Sequence, residues 1–105
     1  MKFTVDEFLA KLPLAANEKW KDGVWHRDAF NRGNVKVEFF ALRGADHQTP
    51  HDEDELYFIA RGNGTLIIDG EANQFVAGDA LFVPAKVPHN FENVSDDFAT
   101  WVVFF

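Results

Sequence analysis

His47-Gln-Thr-Pro-His-Asp-Glu-Asp-Glu-Leu-Tyr-Phe-Ile-Ala-Arg-Gly62, answered further along by Gly78-Asp-Ala-Leu-Phe-Val-Pro-Ala-Lys-Val-Pro-His-Asn-Phe-Glu-Asn93, decides how this chain folds. Each stretch carries histidine or carboxylate beside a run of aromatic and β-branched residues and ends on turn residues, the pattern of strands and their connections. A β-fold gathers polar side chains from strands far apart in sequence, and imidazole with carboxylate is a metal-binding combination.

Outward from these stretches the strand pattern recurs. Strands are predicted at Val24-Trp25, Val35 to Leu42, Leu56 to Ala60, Thr65 to Ile68, Gln74 to Val76, Ala80 to Val83 and Thr100 to Phe105. Turn signals separate them at Asp22-Gly23, Arg32-Gly33-Asn34, Arg43-Gly44, Arg61 to Gly64, Asp69-Gly70 and Ala77-Gly78-Asp79. Ahead of them, Thr4 and Glu7 have the spacing of a capping box, and Val5, Phe8, Leu9 and Leu12 share one helical face before Pro13. A short helix is therefore expected over about residues 4–12, followed by an all-β antiparallel sandwich or barrel over about residues 20–105, a jelly roll among the options. At 105 residues the chain has room for one domain and one core, and its 12 phenylalanines make that core aromatic.

Composition narrows the partners. With 10 basic against 17 acidic residues the formal charge is −7, a field that repels nucleic acid and anionic membranes and favours cations or small neutral ligands. There is no cysteine, so any transition metal must be held by nitrogen and oxygen. The beginning, Met1-Lys-Phe-Thr-Val-Asp-Glu-Phe, lacks the apolar run of a signal peptide, and no stretch is long and apolar enough to span a bilayer. The chain reads as soluble and cytoplasmic.

The two stretches resemble the paired motifs of the cupin superfamily. The first motif is a glycine, two histidines separated by one residue, a glutamate and a glycine, and Gly44, His51, Glu55 and Gly62 hold its positions. The second is matched by Gly78, Pro84, His89 and Asn93. The resemblance is to small cupins of the conserved-barrel kind and implies an antiparallel double-stranded β-helix, the cupin jelly-roll barrel, with His51, Glu55 and His89 around a divalent metal, and a homodimer. Two residues depart from it. Lys86 replaces a glycine in the turn before His89, where a positive φ is costly for a residue with a Cβ. Thr49 stands where the first histidine belongs. His47 and Gln48 are the candidates for a fourth ligand. His47 shares the strand parity of Thr49, His51 and Glu55 but would lie about 7 Å beyond the Thr49 position on an unbent strand.

Two imidazoles and a carboxylate without sulfur suit Fe(II), Mn(II), Ni(II), Co(II) or Zn(II), with coordination positions left for water or a chelating small molecule. Tyr57 and Ile59 share the parity of Glu55 and should face the interior, which makes Tyr57 the candidate catalytic hydrogen-bond donor. The resemblance implies a metal-dependent enzyme acting on a small molecule, of oxygenase or isomerase type. The alternative is a non-catalytic ligand-binding or sensing cupin with a degenerate or empty metal site. Plainer readings exist for single residues: His89 alone is an ordinary structural histidine, and Asp52-Glu53-Asp54 is a solvated turn. His26 has no partner in register and reads as a surface or dimer-contact residue. The apolar run Trp101-Val-Val-Phe-Phe105 must be covered on both faces, by the barrel interior and by either the helix or a second copy.

Overall fold

The computed structural model describes residues 1–105. One helix, α1 (Val5–Ala10), precedes eight strands: β1 (His26–Arg32), β2 (Val35–Phe40), β3 (Glu55–Arg61), β4 (Asn63–Ile68), β5 (Glu71–Val76), β6 (Ala80–Val83), β7 (His89–Glu92) and β8 (Ala99–Phe104). They form a five-stranded sheet, β1-β2-β8-β3-β6, and a three-stranded sheet, β5-β4-β7, with every ladder antiparallel. This is the expected jelly-roll barrel. No helix is long and apolar enough to cross a membrane.

The core follows from strand parity. On β3, Glu55, Tyr57 and Ile59 turn inward and are buried, whereas Phe58 points out and is exposed. On β8, Val102 and Phe104 turn inward. Between the sheets these meet Leu66, Phe75, Phe91 and Phe98, whose rings pack at edge-on and tilted angles with centroids 5.0–5.7 Å apart. Aromatic pairs at such spacings add to the burial of their area. The capping box forms: the Thr4 hydroxyl accepts from the Glu7 amide at 3.1 Å, and the Glu7 carboxylate accepts from the Thr4 amide at 3.2 Å. The helix lays Phe8 on the outer face of the larger sheet, 5.6 Å from Phe39 and 5.3 Å from Trp101.

Three sequence expectations need correction. Val24-Trp25 is no strand; Val24 makes only an isolated bridge to Leu14. His26–Arg32 and His89–Glu92, absent from the predicted strands, are strands. His26 is not a surface residue, because β1 turns its ring inward, 6.1 Å from Phe40 and 5.5 Å from Trp20. The terminal run divides as parity requires: Trp101 goes under the helix, Val102 and Phe104 go inside, and Phe105 stays half exposed beside Phe82 at 6.5 Å.

Candidate metal centre

Three neighbouring elements bring the predicted ligands together. His51 lies on the loop entering β3, Glu55 is the first residue of β3, and His89 opens β7 on the other sheet. The two motifs are joined directly by a hydrogen bond from the Lys86 amide to the His51 carbonyl, 2.7 Å, and by one from the Ala85 amide to Asp54, 2.8 Å. Lys86 makes this turn at φ 67°, so the lysine in place of glycine does take the left-handed conformation. The incoming loop is also tied to the end of the chain, where Asp54 and Phe105 exchange both backbone hydrogen bonds.

The donor atoms of His51, Glu55 and His89 all lie within 4.8 Å of one another. His89 Nε2 is 3.0 Å from Glu55 Oε2, and His51 Nε2 is 3.9 Å from Glu55 Oε1. An ion bound at roughly 2.0–2.2 Å keeps its ligand atoms about 3 to 4.4 Å apart, so this donor set fits a divalent ion with at most a few tenths of an ångström of closure. Glu55 is 1% exposed, and a buried carboxylate requires cationic or hydrogen-bonding partners. The Val87 carbonyl, 2.9 Å from His89 Nδ1, accepts the proton there and leaves Nε2 facing the other two side chains.

Tyr57 completes the cluster. Its hydroxyl donates to Glu55 Oε1 at 3.0 Å and lies 3.3 Å from His89 Nε2 and 3.4 Å from Gln48 Oε1. Burial, then the charge and hydrogen bond of Glu55, push the phenol well above its usual 10, so it remains a neutral donor. Gln48 is held by Asp46, whose Oδ2 accepts from Gln48 Nε2 at 2.6 Å and from the Phe91 amide at 2.8 Å. Of the two candidates for a fourth position, Gln48 reaches the cluster through Tyr57. His47 is exposed, packs against Trp20 at 5.5 Å and lies outside the three-residue group. Thr49 borders the adjoining cavity without joining the group.

That cavity, about 110 Å³, is lined by His51, Tyr57 and Phe104 and also by Trp20, His26 and Glu38. Sequence reasoning missed His26 and Glu38. The signal lay in β2, where Lys36 and Glu38 share the parity of the inward Phe40, while Val37 shares that of Phe39 under the helix. The inner face of β2 is therefore polar towards its Lys36 end.

A pH effect follows from His89. Burial pulls its imidazole down, but the hydrogen bonds to Glu55 and the Val87 carbonyl, with the charge of Glu55, outweigh this and hold its pKa above the ordinary 6.5. A base raised on folding stabilises the protein fully below pH 6.5 and loses that contribution as pH rises through the folded-state value. Metal-free protein is expected to show a urea midpoint that falls as pH rises above about 6.5, with the slope flattened in His89→Gln; an unchanged slope in the variant contradicts the assignment.

With this geometry in view, the comparisons with known proteins agree. The Cupin domain family model matches residues 41–105. The chain belongs to the cupin domain family. It is 36% identical over 104 residues to an uncharacterised protein of Streptomyces coelicolor, covering 97% of this chain and 92% of that one. Among solved structures, the plu4264 protein of Photorhabdus luminescens superposes with a TM-score of 0.67 at 18% identity, covering 76% of this chain and 72% of that one. A salicylate 1,2-dioxygenase of Pseudoaminobacter salicylatoxidans superposes with a TM-score of 0.66 at 19% identity, over 75% of this chain and 24% of that one.

Proposed function

We propose that this cupin holds one divalent metal ion on His51, Glu55 and His89 and binds a small molecule beside it, as a metal-dependent enzyme of oxygenase or isomerase type. The observation that carries the reading is the convergence of two imidazoles and a buried carboxylate within 4.8 Å of one another, with His51 at the wall of a small cavity. A bound Fe(II), Mn(II), Ni(II), Co(II) or Zn(II) supplies Lewis acidity, and for the redox-active ions electron transfer, at open positions towards the cavity. The protein's own groups do the rest. Tyr57 delivers a neutral O–H to an oxygen beside Glu55, and Asp46 holds Gln48 against Tyr57. Phe104 and Val102 give the cavity an apolar wall. The dioxygenase among the structural relatives supports the oxygenase form of this reading.

Titration of metal-stripped protein with Zn(II) in a calorimeter tests it. One ion per chain is expected, with affinity at least about 100-fold weaker in Glu55→Gln, since even residues behind the ligands cost 10- to 100-fold. Equal affinity in the two proteins overturns the reading. The non-catalytic alternative draws on Thr49, which leaves three ligands where the family pattern has four. It predicts that ligand binding persists in metal-stripped protein while no candidate substrate is turned over with any of the five ions.

The reading extends to assembly and setting. An acidic chain without cysteine suits the cytoplasm. Phe58, Phe82 and Phe105, each 45–50% exposed on the outer face of the larger sheet beyond the reach of α1, are the surface through which two chains pack. Light scattering at micromolar concentration should give twice the 11.9 kDa chain mass, reduced to the chain mass in Phe82→Asp. A wild-type mass near that of one chain contradicts the dimer.

A further inference from the structure

The turn that leads into His89 is held by the loop that carries His51 and Glu55, and one side chain supplies half of that hold. Pro84, Ala85, Lys86 and Val87 form the turn, closed by the Val87 amide donating to the Pro84 carbonyl at 3.3 Å. Lys86 is its third residue and sits at φ 67°, where a type II turn takes a positive φ and favours glycine. Within such a turn the two central amides have no partner. Here both are met from the first motif: the Lys86 amide donates to the His51 carbonyl at 2.7 Å, and the Ala85 amide donates to Asp54 Oδ1 at 2.8 Å. The last residue of the turn passes the placement on, because the Val87 carbonyl accepts from His89 Nδ1 at 2.9 Å.

Asp54 is itself fixed. Its amide donates to the Phe105 carbonyl at 3.2 Å and its carbonyl accepts from the Phe105 amide at 3.0 Å. The next residue is Glu55, paired on β3 with Val83 and Phe104. Asp52 and Glu53 are exposed, as a solvated turn requires, whereas Asp54 is half-buried and turned towards Ala85. Its carboxylate stands outside the three-residue ligand group. Without that carboxylate the Ala85 amide has no acceptor, and the costly conformation of Lys86 is tied to the loop by one contact alone. The turn can then relax, and the Val87 carbonyl and the His89 ring move with it, out of a fit that tolerates a few tenths of an ångström.

Resting on the metal reading, we propose that Asp54 is a positioning residue for the metal centre: through the Ala85 amide and the 84–87 turn, its carboxylate sets His89 at metal-binding distance from His51 and Glu55. It acts by accepting a hydrogen bond and not by its charge. Asparagine, whose side-chain oxygen accepts the same bond, can therefore take its place, and alanine cannot.

Zn(II) titration of metal-stripped protein by calorimetry tests this in the wild type, Asp54→Ala, Asp54→Asn and a control carrying both Asp52→Asn and Glu53→Gln. Asp54→Ala is expected to bind at least about tenfold more weakly, the effect of removing a group behind the ligands. Asp54→Asn should lie closer to the wild type than to Asp54→Ala, and the control, which loses two charges from the same loop, should keep the wild-type affinity. A smaller loss in Asp54→Ala overturns the role. So does an asparagine variant closer to the alanine one, or a control as weak as Asp54→Ala, since either makes charge the cause. A wild type that binds no Zn(II) overturns the metal reading and this role together, whereas a wild type that binds it no tighter than Asp54→Ala overturns the role alone. Should Asp54→Ala fail to fold by circular dichroism, amide hydrogen exchange in the wild type and Asp54→Asn decides. A protected Ala85 amide is expected in both, and exchange as fast as in an unstructured peptide overturns the proposal.

Discussion

In His89→Ala, bound metal is expected to fall from one ion per chain to a small fraction at micromolar ion concentration, an affinity loss of at least about 100-fold. His89 is the member of the group contributed by the smaller sheet, and the Val87 carbonyl already fixes its tautomer with Nε2 towards Glu55. Removing it leaves one imidazole and one carboxylate, both reached from the same loop and strand start. The barrel should survive, because its core of phenylalanine, leucine and valine side chains is buried without help from the group. Far-ultraviolet circular dichroism together with elemental analysis checks both halves, and unchanged metal stoichiometry in a folded variant counts against His89 as a ligand.

The second large effect is structural. Gly62 connects β3 to β4 at φ +82°, and a Cβ there would meet the Ser95 hydroxyl and sit 2.8 Å from the Phe98 Cα and 2.9 Å from Asp97 Oδ1. The backbone conformation costs an alanine about 1–3 kcal/mol, and crowding against main chain adds about 1–3 more. Gly62→Ala should therefore lose about 3 kcal/mol in urea unfolding, a large share of the roughly 5–15 kcal/mol typical of a domain. A loss below about 1 kcal/mol would mean that the segment around Ser95 to Phe98 yields readily. The glycine at the end of the first motif is thus explained by packing as well as by its turn.

What the sequence makes legible follows strand parity and turn chemistry. Glu55 and Tyr57 are readable because a strand repeats its faces every second residue, whereas His51, on the loop entering β3, is readable from the spacing of the first motif. The capping box at Thr4 and Glu7 is readable because both of its hydrogen bonds are local. β1 is not readable in the same way. His26-Arg-Asp-Ala-Phe-Asn-Arg32 is an edge strand with charges on it, and a bulge between Asp28 and Phe30 breaks its alternation. Because β1 is hidden, so is the inward turn of His26. His47 shows the reverse limit: parity gives it the correct face on an ideal strand, but residues 47–50 form a loop rather than a strand. The loop is pinned by Asp46, which turns Gln48 inward and leaves His47 against Trp20. The side that β8 presents to the helix is likewise decided by tertiary packing, since Trp101-Val-Val-Phe-Phe105 is apolar on both faces.

X-ray absorption at the metal edge of protein loaded with one equivalent of Zn(II) tests the central claim most directly. The account predicts a first shell of nitrogen and oxygen alone at roughly 2.0 to 2.2 Å, with the outer scattering of two imidazoles that drops to one in His51→Ala. A spectrum with no imidazole scattering, or one unchanged by that substitution, would contradict it.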